Sequence, residues 1–273
     1  MPQLGMDRMN EISRDDAAPQ TESRDANQMG GFAKGIAVIE AFGNGRKPMT
    51  IAEVARIAGL DRASTRRCVF TLVAGGYARC DGRVYELTPK ILRLGSSYLS
   101  ASLPKLIRPS LERLADQFPE VSCSASVLDG DEIIYIARAA HHRLIGIGLH
   151  VGSRMPTYCT AMGRVLLAAL PQEKARAILA GSERRALTER TLTQIDDLLA
   201  ELETVRRNGY SIIFQEVDYG ACGIAVPVLN ISGNVVAAMN IAMQASPEAV
   251  AYMKTELLPR LMEIQHYLAT ILP

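Results

Sequence analysis

The run Thr50-Ile51-Ala52-Glu53, continued by Asp61-Arg62-Ala63-Ser64-Thr65-Arg66-Arg67 and closed by Asp81-Gly82-Arg83, decides how this chain begins to fold. Thr50 and Glu53 have the spacing of a capping box, in which each side chain satisfies an orphan backbone N–H of the other. The short helix they open buries Ile51, Val54 and Ala55 and stops at Gly59, a residue suited to the left-handed position after a helix. Leu60 packs into the turn. Asp61 then caps a second helix over residues 62–74, whose inner face reads as Ala63, Cys68, Val69 and Leu72, and Gly75-Gly76 closes it. Beyond it, two strand-like runs, Tyr77 to Cys80 and Arg83 to Leu87, flank Asp81-Gly82; Asp-Gly in that setting predicts a hairpin with a type I′ turn. Upstream, Phe32, Ile36, Ile39 and Phe42 recur at helical spacing, so a helix is expected over residues 32–42. Helix, capped helix, helix and tight hairpin make a winged helix-turn-helix at residues 31–88.

The charge of the chain agrees with that division. The net +1 of the 273 residues hides a local excess: residues 31–90 carry ten Lys/Arg against five acids, while residues 1–30 carry three arginines against six. A basic segment of domain size attracts phosphate backbones. In a helix-turn-helix the second helix enters the major groove by its N-terminus. Its first outward residues are read as Arg62, Ser64, Thr65 and Arg66, with Arg67 anchoring phosphate. Arginine bonds guanine O6 and N7 bidentately, and Ser or Thr serves bases or phosphates. Arg79 and Arg83 flank the hairpin tip, within reach of backbone or minor groove; Lys34, Arg46 and Lys47 add sequence-independent attraction. The expected partner is double-stranded operator DNA.

The remainder reads as tail, linker and second domain. Residues 1–30 are polar and lack apolar periodicity, which predicts a disordered acidic tail. Thr88-Pro89 resembles an N-cap with proline at the first helical position, opening a linker helix through Tyr98 within residues 89–103. Residues 104–273 read as helix 106–118, strands 121–128 and 132–139 about Asp129-Gly130, and a third strand near 144–149. Helices 161–169, 172–180 and 194–208 follow, then strands 212–215, 223–229 and 235–243, and a closing helix 247–272. Helices flanking a mostly antiparallel sheet make the fold class α+β. No apolar run reaches the ~18 residues of a membrane span, and Met1 to Gln28 lacks a secretory profile. Five singly placed cysteines suit free thiols in the cytoplasm.

At this point several stretches together resemble the IclR family of regulators: residues 32–40, Leu60-Asp-Arg-Ala-Ser-Thr-Arg-Arg, Gly76-Tyr77, Leu87 to Gly95, Val151 to Pro156, Met162 to Leu167, Ile224 to Pro227, and Ser232 to Ala238. The similarity is greatest to the branch controlling protocatechuate and para-hydroxybenzoate catabolism. The resemblance implies a GAF-like effector domain, homodimers or a dimer of dimers, and contact with RNA polymerase if the protein activates. It also implies that Leu144, Ile147, Met155, Ala161, Met162, Ile213, Gly223, Asn240 and Ala242 line an effector cavity, with Asn240 orienting a ligand oxygen. Thr160 is expected to cap the helix at 161–169, leaving N–H groups of its first turn for a carboxylate. Some relatives carry more polar residues at positions 213, 223 and 242, which points to a ligand larger and less polar than a short keto acid: an aromatic acid such as protocatechuate or para-hydroxybenzoate. Arg138 and Arg154 are candidate counter-ions for it, Arg154 reading more readily as a loop anchor.

The sequence also contains features of two other classes. Cys123, Cys159 and Cys222 with His141, His142, His150 and His266 contain the ingredients of a Cys–His hydrolase, but no nucleophile motif surrounds any of them. A nucleotide-binding or oligomerisation module is the other alternative. No metal spacing and no Gly-rich phosphate loop is present, so neither enzymatic activity nor a cofactor is expected.

Overall fold

The computed structural model describes residues 29–44, 47–99, 102–140 and 148–273, which divide into two compact units, Met1–Arg93 and Leu94–Pro273. The tail 1–28, Arg46, the paired histidines 141 and 142, Leu144 and Ile147 lie outside the described residues.

In the first unit, α1 (Gly30–Asn44), α2 (Ile51–Ala58) and α3 (Arg62–Ala74) precede the hairpin β1 (Ala78–Asp81) and β2 (Val84–Leu87). Both bonds of the capping box are made: Thr50 N donates to Glu53 Oε2 at 2.8 Å and Glu53 N to Thr50 Oγ1 at 3.3 Å. The bonds that Thr50 N and Thr50 Oγ1 donate to Glu53 Oε2 hold the Glu53 carboxyl below the usual carboxylate range. Gly59 adopts φ 65° and Leu60 N bonds back to Ala55 O, which ends α2 in a left-handed turn. Asp61 caps α3 by accepting from Ser64 N at 2.7 Å. The core is Val38, Ala41, Phe42, Met49, Val54 and Val69.

Four details differ from the sequence reading. Phe32 and Ile36 are exposed, and the buried stripe of α1 starts at Val38. On α3 the inward residues are Ser64, Thr65 and Val69, whereas Ala63 is exposed. The hairpin loop is Gly82-Arg83: Asp81 is the last strand residue, paired with Val84, and positive φ occurs at Gly82 alone. That is the pattern of a II′ turn, which needs glycine only at its first central position. Thr88 gives no side-chain cap; its hydroxyl donates to Gly76 O, and the linker starts as a 3₁₀ turn (Pro89–Ile91) before α4 (Leu92–Leu99).

The second unit is a six-stranded antiparallel sheet of order β5-β4-β3-β8-β7-β6. Its strands are β3 (Ser122–Asp129), β4 (Glu132–Ala140), β5 (Arg154–Pro156), β6 (Ser211–Phe214), β7 (Ala221–Leu229) and β8 (Val235–Gln244). β5 was not expected; the strand foreseen near 144–149 falls mostly outside the described residues. One face packs on α5 (Ser102–Gln117) and the C-terminal helices through Ile107, Leu111, Ile224, Met239, Leu261 and Leu268. The other packs on α6 (Ala161–Ala168), α7 (Gln172–Gly181) and α8 (Ile195–Asn208). The closing helix is continuous only in outline: α9 (Ala249–Tyr252) passes through a π turn (Met253–Leu257) into α10 (Leu258–Ile271). Pro259 explains the wider turn, since it has no N–H for the bond to Thr255. Among the described residues no helix is long and apolar enough to cross a membrane.

The central strand β3 alternates serine with small apolar residues. Ser122, Ser124 and Ser126 stand opposite Ala242, Asn240 and Ala238 and so share the face under α6. Cys123 and Ala125 point to the α5 side. With Gly223 and Ala225 next along, the α6 face of the sheet is built from small side chains, which leaves a space beneath the helix.

Candidate functional site

The first unit presents a basic, solvent-facing helix. Arg62, Arg66 and Arg67 are exposed at the start of α3, and the Arg66 guanidinium lies 4.9 Å from the centre of the Phe70 ring. Ser64 and Thr65, expected on the same surface, are buried at 4% and 0% exposure. The reason is local: the Ser64 hydroxyl accepts from Lys34 Nζ at 3.0 Å, and that of Thr65 donates to Asp61 O at 2.9 Å. Their polar atoms are thus satisfied inside the domain. Lys34 is a strut between α1 and α3 rather than a free surface cation. In the hairpin Arg83 is exposed at the tip, and Arg79 pairs with Glu86 on the neighbouring strand at 2.6 Å.

The second unit holds a cavity of ≈ 80 Å³ between α6 and the small-residue face of the sheet. Eight of the residues singled out from sequence meet there: Met155, Thr160, Ala161, Met162, Ile213, Gly223, Asn240 and Ala242. Tyr135, Leu149, Val217 and Ala221 complete the wall and were missed, together with Cys159 and Cys222, which the sequence offers only as thiols of a Cys–His pair. Tyr135 was findable, since it alternates in step with Ile133 on β4, whereas Val217 sits in a loop with no periodic signal. Thr160 caps α6, its Oγ1 accepting from Gly163 N at 3.2 Å, which leaves the N–H groups of Ala161 and Met162 without that cap. Gly163 is obligatory: a Cβ there would lie 2.3 Å from Thr157 O and 2.4 Å from its Cα. The helix start is therefore seated directly on the Thr157 backbone.

The walls are mostly apolar, and the polar exception is informative. Asn240 Oδ1 is buried and has no hydrogen-bond partner among the described residues. Burial pushes the Tyr135 hydroxyl and the Cys159 thiol up to about 12, so both stay protonated at neutral pH. The two candidate counter-ions separate cleanly. Arg154 is engaged by Asp129 at 2.6 Å and Glu132 at 2.5 Å on the surface. Arg138 lies in one row with Ser124 and Asn240 across β4, β3 and β8, on the cavity side of the sheet. Its guanidinium donates to Ser124 Oγ at 3.1 Å, pairs with no carboxylate among the described residues, and is lowered in pKa by burial. A larger groove of ≈ 450 Å³ beside α7 and α8 is a weaker candidate, because its arginines are already used: Arg176 by Asp196, and Arg184 by backbone carbonyls.

A winged helix-turn-helix with an arginine-faced second helix, followed by an α+β unit holding a small cavity, defines a DNA-binding transcriptional regulator. The chain belongs to the IclR family: residues 32–82 match the IclR helix-turn-helix domain, and residues 97–264 match the bacterial transcriptional regulator IclR C-terminal family. It is 40% identical over 245 residues to the Pca regulon regulatory protein of Pseudomonas putida, covering 89% of this chain and 84% of that one. A solved Rhodococcus sp. RHA1 structure is 38% identical, with a TM-score of 0.77 over 89% of this chain and 98% of its own. The inducer-binding domain of PobR from Acinetobacter, solved as a double mutant with 3-hydroxybenzoic acid, is 32% identical with a TM-score of 0.57. That match covers 62% of this chain and 98% of the domain.

Proposed function

We propose that this regulator is controlled by a hydroxylated aromatic acid held in the cavity under α6. The observation that carries the reading is the buried Asn240 Oδ1, without a partner among the described residues, in a mostly apolar wall. A buried acceptor without a partner costs about 1–3 kcal/mol, and a phenolic O–H supplies the missing donor. Arg138, on the same face with no anionic partner among the described residues, and the free N–H groups at the start of α6 offer two positions for the carboxylate. The 3-hydroxybenzoic acid of the PobR domain and the Pca regulator of Pseudomonas putida support a hydroxybenzoate or protocatechuate as the ligand.

In this reading residues 31–88 bind operator DNA, with Arg62, Arg66, Arg67 and Arg83 facing it, residues 89–103 link, and residues 104–273 sense. The protein acts in the cytoplasm as a homodimer or a dimer of dimers, meets RNA polymerase if it activates, and is not an enzyme. The last point is supported by the thiols: Cys123, Cys159 and Cys222 are raised by burial to about 12, 12 and 11, the reverse of a cysteine nucleophile. The test is a gel shift on the intergenic DNA beside the gene, with and without protocatechuate and para-hydroxybenzoate. A specific shift that either acid alters is expected. A folded protein that shifts no such DNA, or that binds neither acid by calorimetry, overturns the reading.

A further inference from the structure

We propose that the buried Arg164–Glu216 ion pair is the positioning element of the cavity, fixing the wall that carries Val217 against the first turn of α6. The inference rests on the cavity being the ligand site. Arg164 is 1% exposed on α6, one turn beyond Ala161. Its Nη1 and Nη2 grip Glu216 Oε1 and Oε2 at 2.8 and 2.5 Å, and its Nε donates to Tyr158 O at 2.9 Å. One planar fork thus ties together three stretches that form the wall: the backbone leading to Cys159 and Thr160, the start of α6, and the loop after β6.

Glu216 is held from the other side as well. Leu192 N donates to its Oε2 at 3.1 Å, and Thr191 Oγ1 donates to its carbonyl at 2.6 Å. Gln215, immediately before it, has φ 60°, a strained conformation for a side-chain-bearing residue that persists only where its surroundings dictate it. Here Thr188 Oγ1 donates to the Gln215 carbonyl at 2.6 Å, and Gln215 Nε2 donates to Tyr219 O at 2.6 Å. The loop is specified residue by residue, and its product is the placement of Val217 and Ala221 in the wall. Glu201 on α8 feels both partners: burial raises its carboxyl, Arg164 lowers it and Glu216 raises it again.

A buried ion pair gains the fold little, since a well-packed apolar pair of similar volume is often as stable or more so. What the pair supplies is geometry, and this separates the two roles experimentally. The variant Arg164→Met/Glu216→Leu removes both charges at similar volume. It is expected to fold with a lower melting temperature, because Tyr158 O and Leu192 N lose their partners, with faster amide exchange confined to residues 216–222 and affinity for para-hydroxybenzoate lowered about tenfold or more. Exchange in that segment unchanged from wild type overturns the proposal. Should the double variant fail to fold, Arg164→Lys decides on the same exchange readout, because one ammonium cannot span both Glu216 oxygens and Tyr158 O. Wild-type protein that binds no hydroxybenzoate, alongside faster exchange in the variant, removes the ligand reading and leaves the pair's role standing. Wild-type binding with unchanged exchange does the opposite.

Discussion

Asn240→Leu is a near-isosteric change whose effects on stability and on function should have opposite signs. Oδ1 is buried without a partner among the described residues, a condition that costs about 1–3 kcal/mol. Leucine removes the orphan and adds apolar contact with the Met162 and Ile213 side of the cavity. A net gain of about 1 kcal/mol corresponds to a melting temperature higher by about 2–4 °C for a unit of this size. The ligand loses its hydrogen bond, worth about 1–3 kcal/mol or ~5–150-fold in affinity. Differential scanning fluorimetry of variant and wild type, with and without para-hydroxybenzoate, reads both effects, and calorimetry gives the dissociation constants. Ser211→Ala is the control. Ser211 Oγ is also buried without a partner among the described residues, in line with Asn240 through Ala225, yet it does not line the cavity. It should gain stability and keep the affinity. A less stable Asn240→Leu that binds as tightly as wild type would refute the argument, since Oδ1 would then have a structural partner in solution.

Further outcomes can be measured independently. Gly163→Ala forces a Cβ to within 2.3 Å of the Thr157 carbonyl oxygen, so α6 must shift; a loss of about 1–3 kcal/mol in urea unfolding is expected, and a neutral result means that the helix start is not seated there. Arg66→Ala should cut operator affinity and reduce the slope of log K against log salt by about one if Arg66 meets a phosphate, whereas an unchanged slope and affinity would take it off the DNA. Raising Cys159 from 9 to about 12 keeps it a thiol through the physiological range. Iodoacetamide at pH 8 should therefore label exposed Cys80 well before Cys159. The same shift makes stability fall as pH rises from about 9 towards 12, because the unfolded thiol ionises first; a flat profile there would speak against a buried Cys159.

The DNA-binding unit was legible because its signals are local. Thr50, Glu53, Gly59 and Asp61 act within three or four residues of themselves, and each makes the bond its spacing suggests. The errors came where a polar residue found a partner at longer range or within its own turn. Ser64 looks like a surface residue until Lys34, thirty positions earlier, reaches it. Thr65 hides its hydroxyl on the Asp61 carbonyl, and the inner face of α3 moves from Ala63 accordingly. Positions 161–168 did contain one unread signal. A helix apolar all round is buried, so a lone Arg164 inside it requires a buried acid. The sequence cannot say that the acid is Glu216, 52 residues away.

The sensor half was legible mainly through resemblance, and the structure adds a reason of its own. Three buried side-chain atoms, Ser122 Oγ, Ser211 Oγ and Asn240 Oδ1, have no partner among the described residues. All three lie on one face of one sheet. Ser211, Ala225, Asn240, Ser124 and Arg138 form a single row across five strands, with Ser122 one step along the same face opposite Ala242. The opposite face, packed on α5 and α10, is apolar throughout. Elsewhere the chain satisfies even demanding groups, as the five hydrogen bonds around Arg164 and Glu216 demonstrate. Unsatisfied polarity confined to the face that carries the cavity is what a binding site looks like before its ligand arrives, since native structures tolerate such atoms mainly where function needs them. Of the small residues on this face Gly223 and Ala242 line the space, Asn240 gives it a polar end, and the Arg164–Glu216 pair holds its wall. Enlarging Gly223 or Ala242 should therefore weaken ligand binding without touching operator contacts in the other unit.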